Sequence, residues 1–184
     1  MPELPEVETI KNDLKKKLLY KKISQVEIKL PRIVKNRPDE FISGLQGNKF
    51  VDIERVGKLL IFVLSLPGEY LLAHLKMTGQ LVYCFDKFLI AGGHSLPKLA
   101  GCLPNRWTRT VIHFADKSAL FFNDQRTFGY LKLAGGAEVK LAKERFGLNP
   151  LSRRFNGTAL AAILAKRRAA IKALLLDQSL IAGV

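Results

Sequence analysis

Two hydrophobic periods divide this chain. Near its start Val7, Ile10, Leu14 and Leu18 recur at steps of three and four, with Lys11, Lys15 and Lys16 on the opposite side. That spacing predicts an amphipathic helix over 5–19, whose buried face would hold the N-terminus firmly against the body behind it. The pattern then shortens to β-like runs at 23–30, 50–56, 59–66, 70–74, 80–85, 110–114, 119–123 and 130–133, with Pro67-Gly68, Asp116-Lys117 and Gly135-Gly136 as turns. Eight closely spaced strands predict a sandwich or flattened barrel. The stretch 89–109 is rich in Gly and Pro and has no period, so it reads as a long surface loop.

After residue 137 the pattern turns helical. Residues 138–146 read as a helix, Leu148-Asn149-Pro150-Leu151 as a linker, Asn156 as the cap of a helix over 158–166, and 168–176 as another. The predicted fold class is therefore mainly β with helices (α+β). A β-sandwich with an N-terminal helix spans 1–137, and a helical region spans 138–184.

Charge narrows the partner. Thirty Lys and Arg against 16 Asp and Glu give a net charge of +14. A surplus of that size and sign suits a polyanion such as nucleic acid, although a basic protein of ribosomal type has the same balance. Cys84 and Cys102 form no Cys-x-x-Cys pair, so no zinc ligand set is expected, and reduced thiols are. No signal peptide opens the chain and no apolar run reaches about 18 residues, so a soluble cytoplasmic protein without a membrane partner is expected.

The first six residues, Met1-Pro2-Glu3-Leu4-Pro5-Glu6, carry the sharpest chemistry. A small second residue permits removal of the initiator methionine, which would leave Pro2 as an exposed secondary amine. Such an amine can attack a sugar aldehyde carbon and form an imine. It titrates near 7.7–8, as α-amino groups do, so much of it is unprotonated at neutral pH. The plainer alternative is that Pro2 only protects the terminus and Pro5 only starts a helix. Glu3 beside it is either an acid/base partner or an acid favoured by the helix dipole, and Glu6 carries the same ambiguity as a weaker catalytic candidate.

Pro2 to Glu8 reads PELPEVE. Further along stand Gly57-Lys58-Leu59-Leu60, His74-Leu75-Lys76-Met77-Thr78-Gly79, Asn123-Asp124-Gln125-Arg126-Thr127-Phe128-Gly129, and Ala170-Ile171-Lys172 with Leu176-Asp177-Gln178. In kind, order and approximate spacing these resemble the formamidopyrimidine-DNA glycosylase family, relatives of endonuclease VIII.

The resemblance implies a bifunctional base-excision repair glycosylase and abasic-site lyase acting on oxidised purines such as formamidopyrimidines and 8-oxoguanine. Pro2 would form the Schiff base, Glu3 would act as acid/base, and Lys58 would bind the flanking phosphate and assist elimination; the alternative for Lys58 is a solvated turn lysine. His74 contacts phosphate or is simply a strand-end core histidine. A base must be flipped out of the duplex before chemistry, at a few kcal/mol. The family fills the gap with Met, Phe and Arg, which fall here on Met77, Phe128 and Arg126; without the resemblance the two apolar side chains read as core. Arg167, in the basic run Lys166-Arg167-Arg168, aligns with a DNA-binding lysine, against the alternative of a solvated face. Trp107 falls near a DNA-contacting histidine and either stacks or packs. Thr127 and Gln125 replace an arginine and a proline seen in family members.

The resemblance also implies that 138–184 begins a helix–two-turn–helix DNA-binding region. Family members continue past Val184 into a Gly-Asn-Ile-Tyr segment and a zinc or zincless finger. No cofactor is therefore expected in this chain, and the family's single zinc would lie in the absent finger. Weak DNA binding and poor or absent glycosylase activity are expected of the 184 residues alone, with an inactive damaged-DNA-binding module as the alternative function. The expected partner is double-stranded damaged DNA, bound by a monomer associated with the bacterial nucleoid.

Overall fold

The structure is a computed structural model that describes residues 2–86, 88–93, 103–165 and 167–184, with backbone alone over 88–93. Helix α1 (Leu4–Leu18) begins one residue before the periodicity placed it. Its start is a reciprocal capping box: the Glu3 side chain accepts from the Glu6 N–H, and the Glu6 carboxylate accepts from the Glu3 N–H. Pro5 lies in the first turn, where a helix has no partner for an N–H. Val7, Ile10, Leu14 and Leu18 are all buried. Each contributes about 1.5–3 kcal/mol of burial free energy, which fixes the helix against the sheets behind it.

Nine strands follow among the described residues: β1 (Ile23–Ile28), β2 (Phe50–Val56), β3 (Leu59–Leu64), β4 (Glu69–His74), β5 (Gly79–Phe85), β6 (Phe88–Gly93), β7 (Thr108–Phe114), β8 (Ala119–Asp124) and β9 (Tyr130–Gly135). They form two antiparallel sheets, ordered β1-β7-β8-β5-β6 and β2-β3-β4-β9. Phe62, Leu71 and Leu131 of one sheet share a buried core with Leu81, Ile112 and Phe122 of the other, together with the apolar face of α1. The sandwich is thus built on inward-facing alternation. β3 is a continuous apolar run because its outward residues, Leu59 and Ile61, are also covered, by Val139 of α3 (Gly136–Glu144).

Three expectations need correction. The expected eight strands are nine among the described residues, because 88–93 pairs with β5 from Phe85–Phe88 to Gln80–Gly93 instead of lying in a loop. β7 also starts at Thr108, inside the expected loop, and 94–102 lie outside the described residues. Helix α2 (Pro38–Leu45) was not anticipated. Its signals are ordinary ones: proline in the first turn, Asp39 and Glu40 beside the positive end of the dipole, and Phe41 and Leu45 buried on one face. Short elements of this kind give too few periods to stand out.

Beyond β9, α4 (Gly157–Ala165) is capped by Asn156, whose side chain accepts from the Ala159 N–H at 2.9 Å. α5 (Ile171–Leu176) starts later than expected. A separate apolar cluster here joins Leu160, Ile163 and Leu164 to Leu174, Leu180 and Ile181. The returning chain meets the first helix, where the Leu4 N–H donates to the Gly183 carbonyl at 3.2 Å.

Candidate nucleic-acid and catalytic site

The head of α1 opens onto a cleft of about 620 Å³. Glu3, Lys58, His74, Lys76, Tyr130 and Arg145 line it, with Phe146, Gln178 and Val184. Three sequence candidates therefore meet here from three separate elements. Glu3 is the N-cap of α1, Lys58 stands in the two-residue turn between β2 and β3, and His74 ends β4. Lys58 Nζ lies 3.7 Å from Glu3 Oε1. Glu3 is exposed, whereas the Lys58 side chain is only 8% exposed, its stem buried and its charge at the wall.

Pro2 directly precedes Glu3 and is buried. While Met1 is attached that nitrogen is a tertiary amide, and it becomes a secondary amine only when Met1 is removed. Glu6 is not a lining residue; its carboxylate is engaged in the capping box.

His74 is half-buried, with its ring 5.8 Å from that of Tyr130. Burial, with Lys76 and Lys58 nearby, pushes its pKa down to about 4. The Lys76 backbone N–H donates to His74 Nδ1 at 3.1 Å. The neutral ring therefore carries its proton on Nε2, which can act as a donor. Burial raises the Tyr130 hydroxyl pKa, so it stays protonated.

The strands ending at His74 and starting at Tyr130 are paired at those two residues, so the loops that follow and precede them rise side by side at the cleft's edge. Met77 is on the first and Arg126 and Phe128 on the second. Met77 is 40% and Phe128 54% exposed, far from a core environment. The Arg126 guanidinium carbon stands 4.8 Å from the Phe128 ring centroid, a cation–π stack at the tip.

Buried Asp124 ties the two loops together. Its Oδ1 accepts from Thr78 Oγ1 and, at 3.2 Å, from the Arg126 N–H, while Oδ2 accepts from the Gly129 N–H at 2.8 Å. Gly79 closes the first loop so tightly that a Cβ there would stand 2.3 Å from the Leu75 carbonyl oxygen.

The remaining candidates lie apart from the cleft lining. Half-buried Trp107 stacks under Arg106 at 4.2 Å, and its carbonyl accepts the Asp124 N–H. Arg167 is exposed after α4, and its neighbour Lys166 lies outside the described residues. Thr127 accepts a hydrogen bond from Arg32 of the 3-10 turn Pro31–Ile33 at 2.5 Å.

Sequence reasoning did not assign Lys76, Tyr130, Arg145 or Asp124. The last carried a signal, a carboxylate ending an apolar strand just before a glycine-closed loop. Among the described residues no three His, Cys, Asp or Glu are arranged to hold a metal, and no helix is long and apolar enough to cross a membrane.

Residues 1–131 match the family model of the formamidopyrimidine-DNA glycosylase N-terminal domain. Over its whole length the chain is 42% identical to a formamidopyrimidine-DNA glycosylase of Moorella thermoacetica and 39% identical to one of Symbiobacterium thermophilum. It spans 63% and 56% of those proteins, so it covers less than two thirds of each. Among solved structures it superposes over its full length on 62% of Lactococcus lactis Fpg bound to DNA containing an abasic site, with a TM-score of 0.82 and 28% identity. Lactococcus lactis Fpg (MutM) in complex with DNA containing N7-benzyl-Fapy-dG gives a TM-score of 0.81.

Proposed function

The chain belongs to the formamidopyrimidine-DNA glycosylase family, and from that premise we propose that it carries the reactive half of a base-excision repair glycosylase and abasic-site lyase for oxidised purines. The observation that carries the reading is the meeting of Glu3 and Lys58, 3.7 Å apart, at the mouth of a cation-lined cleft beside the chain's second residue.

Once Met1 is removed, the Pro2 nitrogen attacks C1′ of the damaged nucleotide and the bond to the base breaks, so the base leaves with its electron pair. Glu3 protonates the ring oxygen as the sugar opens, leaving a C1′ iminium. Loss of a C2′ proton then expels the 3′ phosphate, nicking the strand, and water releases the sugar from proline. Lys58 holds the departing phosphate, where fixed positive charge favours the developing anion. His74 donates its Nε2–H to the backbone without titrating. Met77, Phe128 and Arg126 enter the stack and hold the orphaned base. Residues 1–137 form the catalytic unit and 138–184 the start of a helical DNA-binding unit that includes Arg167, with Trp107 packing beneath the wedge loops. The protein acts as a monomer on double-stranded damaged DNA in the bacterial cytoplasm.

Borohydride reduction in the presence of abasic duplex, with intact-mass analysis, tests the chemistry. A chain lacking Met1 is expected to be trapped as a covalent adduct through Pro2. A Met1-free chain that binds the duplex and is never trapped would be a binding module instead, and the Schiff-base reading would fall.

A further inference from the structure

Two of the elements that build the cleft are distant in sequence, yet Glu3 and Lys58 must keep a fixed separation for the proposed chemistry. Behind them, away from the cleft lining, lies a guanidinium that the reaction does not use. The Arg55 side chain, at the end of β2, is only 3% exposed. Its Nε donates to Glu8 Oε2 at 2.7 Å, and its Nη1 donates to the Gly57 carbonyl at 2.7 Å. Glu8 belongs to α1, four residues beyond the start of the helix that Glu3 caps. Gly57 directly precedes Lys58 in the turn. One planar side chain thus grips the helix bearing the N-terminus and the backbone bearing the lysine.

We infer that Arg55 and Glu8 are positioning residues, a buried clamp that sets where Lys58 stands relative to Pro2 and Glu3; this rests on the function proposed above.

Three features single the pair out from ordinary ion pairs. The first is burial: apart from the Lys11 contact to the same Glu8, the salt bridges made from within α1, Lys15 with Asp52 and Lys16 with Asp13, have partners more than 40% exposed, where such pairs contribute little. The second is geometry. Guanidinium offers donors in a fixed fork, so both acceptors are held in one plane, which the single ammonium of lysine cannot reproduce. The third is the turn itself. Gly57 has φ +53°, and a Cβ there would stand 2.4 Å from the Phe146 ring. The turn is therefore held on both sides, by Arg55 at its carbonyl and by Phe146 at its Cα. Glu8 is committed as the anionic partner. Burial raises its pKa, but hydrogen bonds from Lys11 and Arg55 outweigh this and leave it below the ordinary carboxylate range.

The test uses the full chain with Met1 removed, on abasic duplex, under single-turnover conditions at saturating DNA. Arg55→Lys is expected to lower the nicking rate about 10- to 100-fold, as displacement of a group by about 1 Å does, with DNA affinity within about threefold of the parent. Glu8→Gln leaves one acceptor oxygen where Lys11 and Arg55 each use one, so it is expected to lower the rate in the same direction as Arg55→Lys, and Glu8→Gln nicking at the parent rate would count against the clamp. Because Arg55 acts through Lys58, the Arg55→Lys effect should largely vanish in a Lys58→Met background. Nicking by Arg55→Lys at the parent rate would overturn the inference. So would an undiminished effect in the Lys58→Met background, or loss of folding by Arg55→Lys, since either makes Arg55 a general stability residue. Failure of the parent chain to be trapped by borohydride is a different outcome: it removes the proposed chemistry.

Discussion

Asp124→Asn is the most discriminating change to the scaffold of the wedge loops. The carboxylate is buried and accepts three hydrogen bonds, two at Oδ1 and one at Oδ2. An amide has one acceptor oxygen. If that oxygen keeps Thr78 and Arg126, the new NH₂ faces the Gly129 N–H, a donor against a donor. If it turns to Gly129, the other two contacts are lost. Hydrogen bonds to a charged group contribute about 1.5–3 kcal/mol each, and an unsatisfied buried donor costs a further 1–3 kcal/mol, so the variant should lose about 2–5 kcal/mol. With a urea dependence of about 2 kcal/mol/M, the unfolding midpoint should fall by about 1–2.5 M. The chain's single tryptophan reports the transition directly, since the Trp107 carbonyl accepts the Asp124 N–H. Thr78→Val removes one of the three contacts, together with the Thr78 Oγ1 that accepts from the Arg126 N–H at 3.0 Å, and should lose about 1–2 kcal/mol. A midpoint within about 0.3 M of the parent for Asp124→Asn would mean that water replaces the carboxylate, and the account of loops fastened by Asp124 would be wrong.

Two further outcomes follow from the same geometry. His74 has a folded-state pKa of about 4 against an ordinary 6.5, so acidification protonates the unfolded chain first. Its contribution is complete above pH 6.5 and is lost as pH falls toward 4, at most about 3 kcal/mol; His74→Gln should remove that part of the stability–pH curve, and a mutant curve parallel to the parent's between pH 4 and 6.5 would refute it. Met77→Ala and Phe128→Ala truncate exposed side chains, so each should leave the melting temperature within about 2 °C, as surface changes within about 0.5 kcal/mol do, while weakening binding to abasic duplex severalfold; a large drop in melting temperature would return both to the core.

The longer elements were readable because each repeats its period several times. The face of α1 and most strands of both sheets were marked by apolar spacing alone. β6 was not, because Gly92 and Gly93 at its end resemble loop, and its order comes from pairing with β5, which no local pattern encodes. α2 contributes only two buried residues to the core, too few to establish a stripe. Pro2, Glu3 and Lys58 stood out by motif. Their mutual distance could not, since the Arg55 and Glu8 contact joins residues 47 positions apart. Asp124 was hidden differently: what matters is three donors converging on it, two of them backbone, and backbone direction has no signature in residue type.

The bond from Leu4 to the Gly183 carbonyl also has a temporal meaning. During synthesis the first helix emerges long before residue 183 exists, at about 5–20 residues per second an interval of roughly ten seconds or more. Until then this tether is absent, and an aminopeptidase meets a freer tip. Afterwards the helix start is fastened two residues from Pro2, so the enzyme that frees the proline nitrogen meets its loosest substrate while the chain is still on the ribosome.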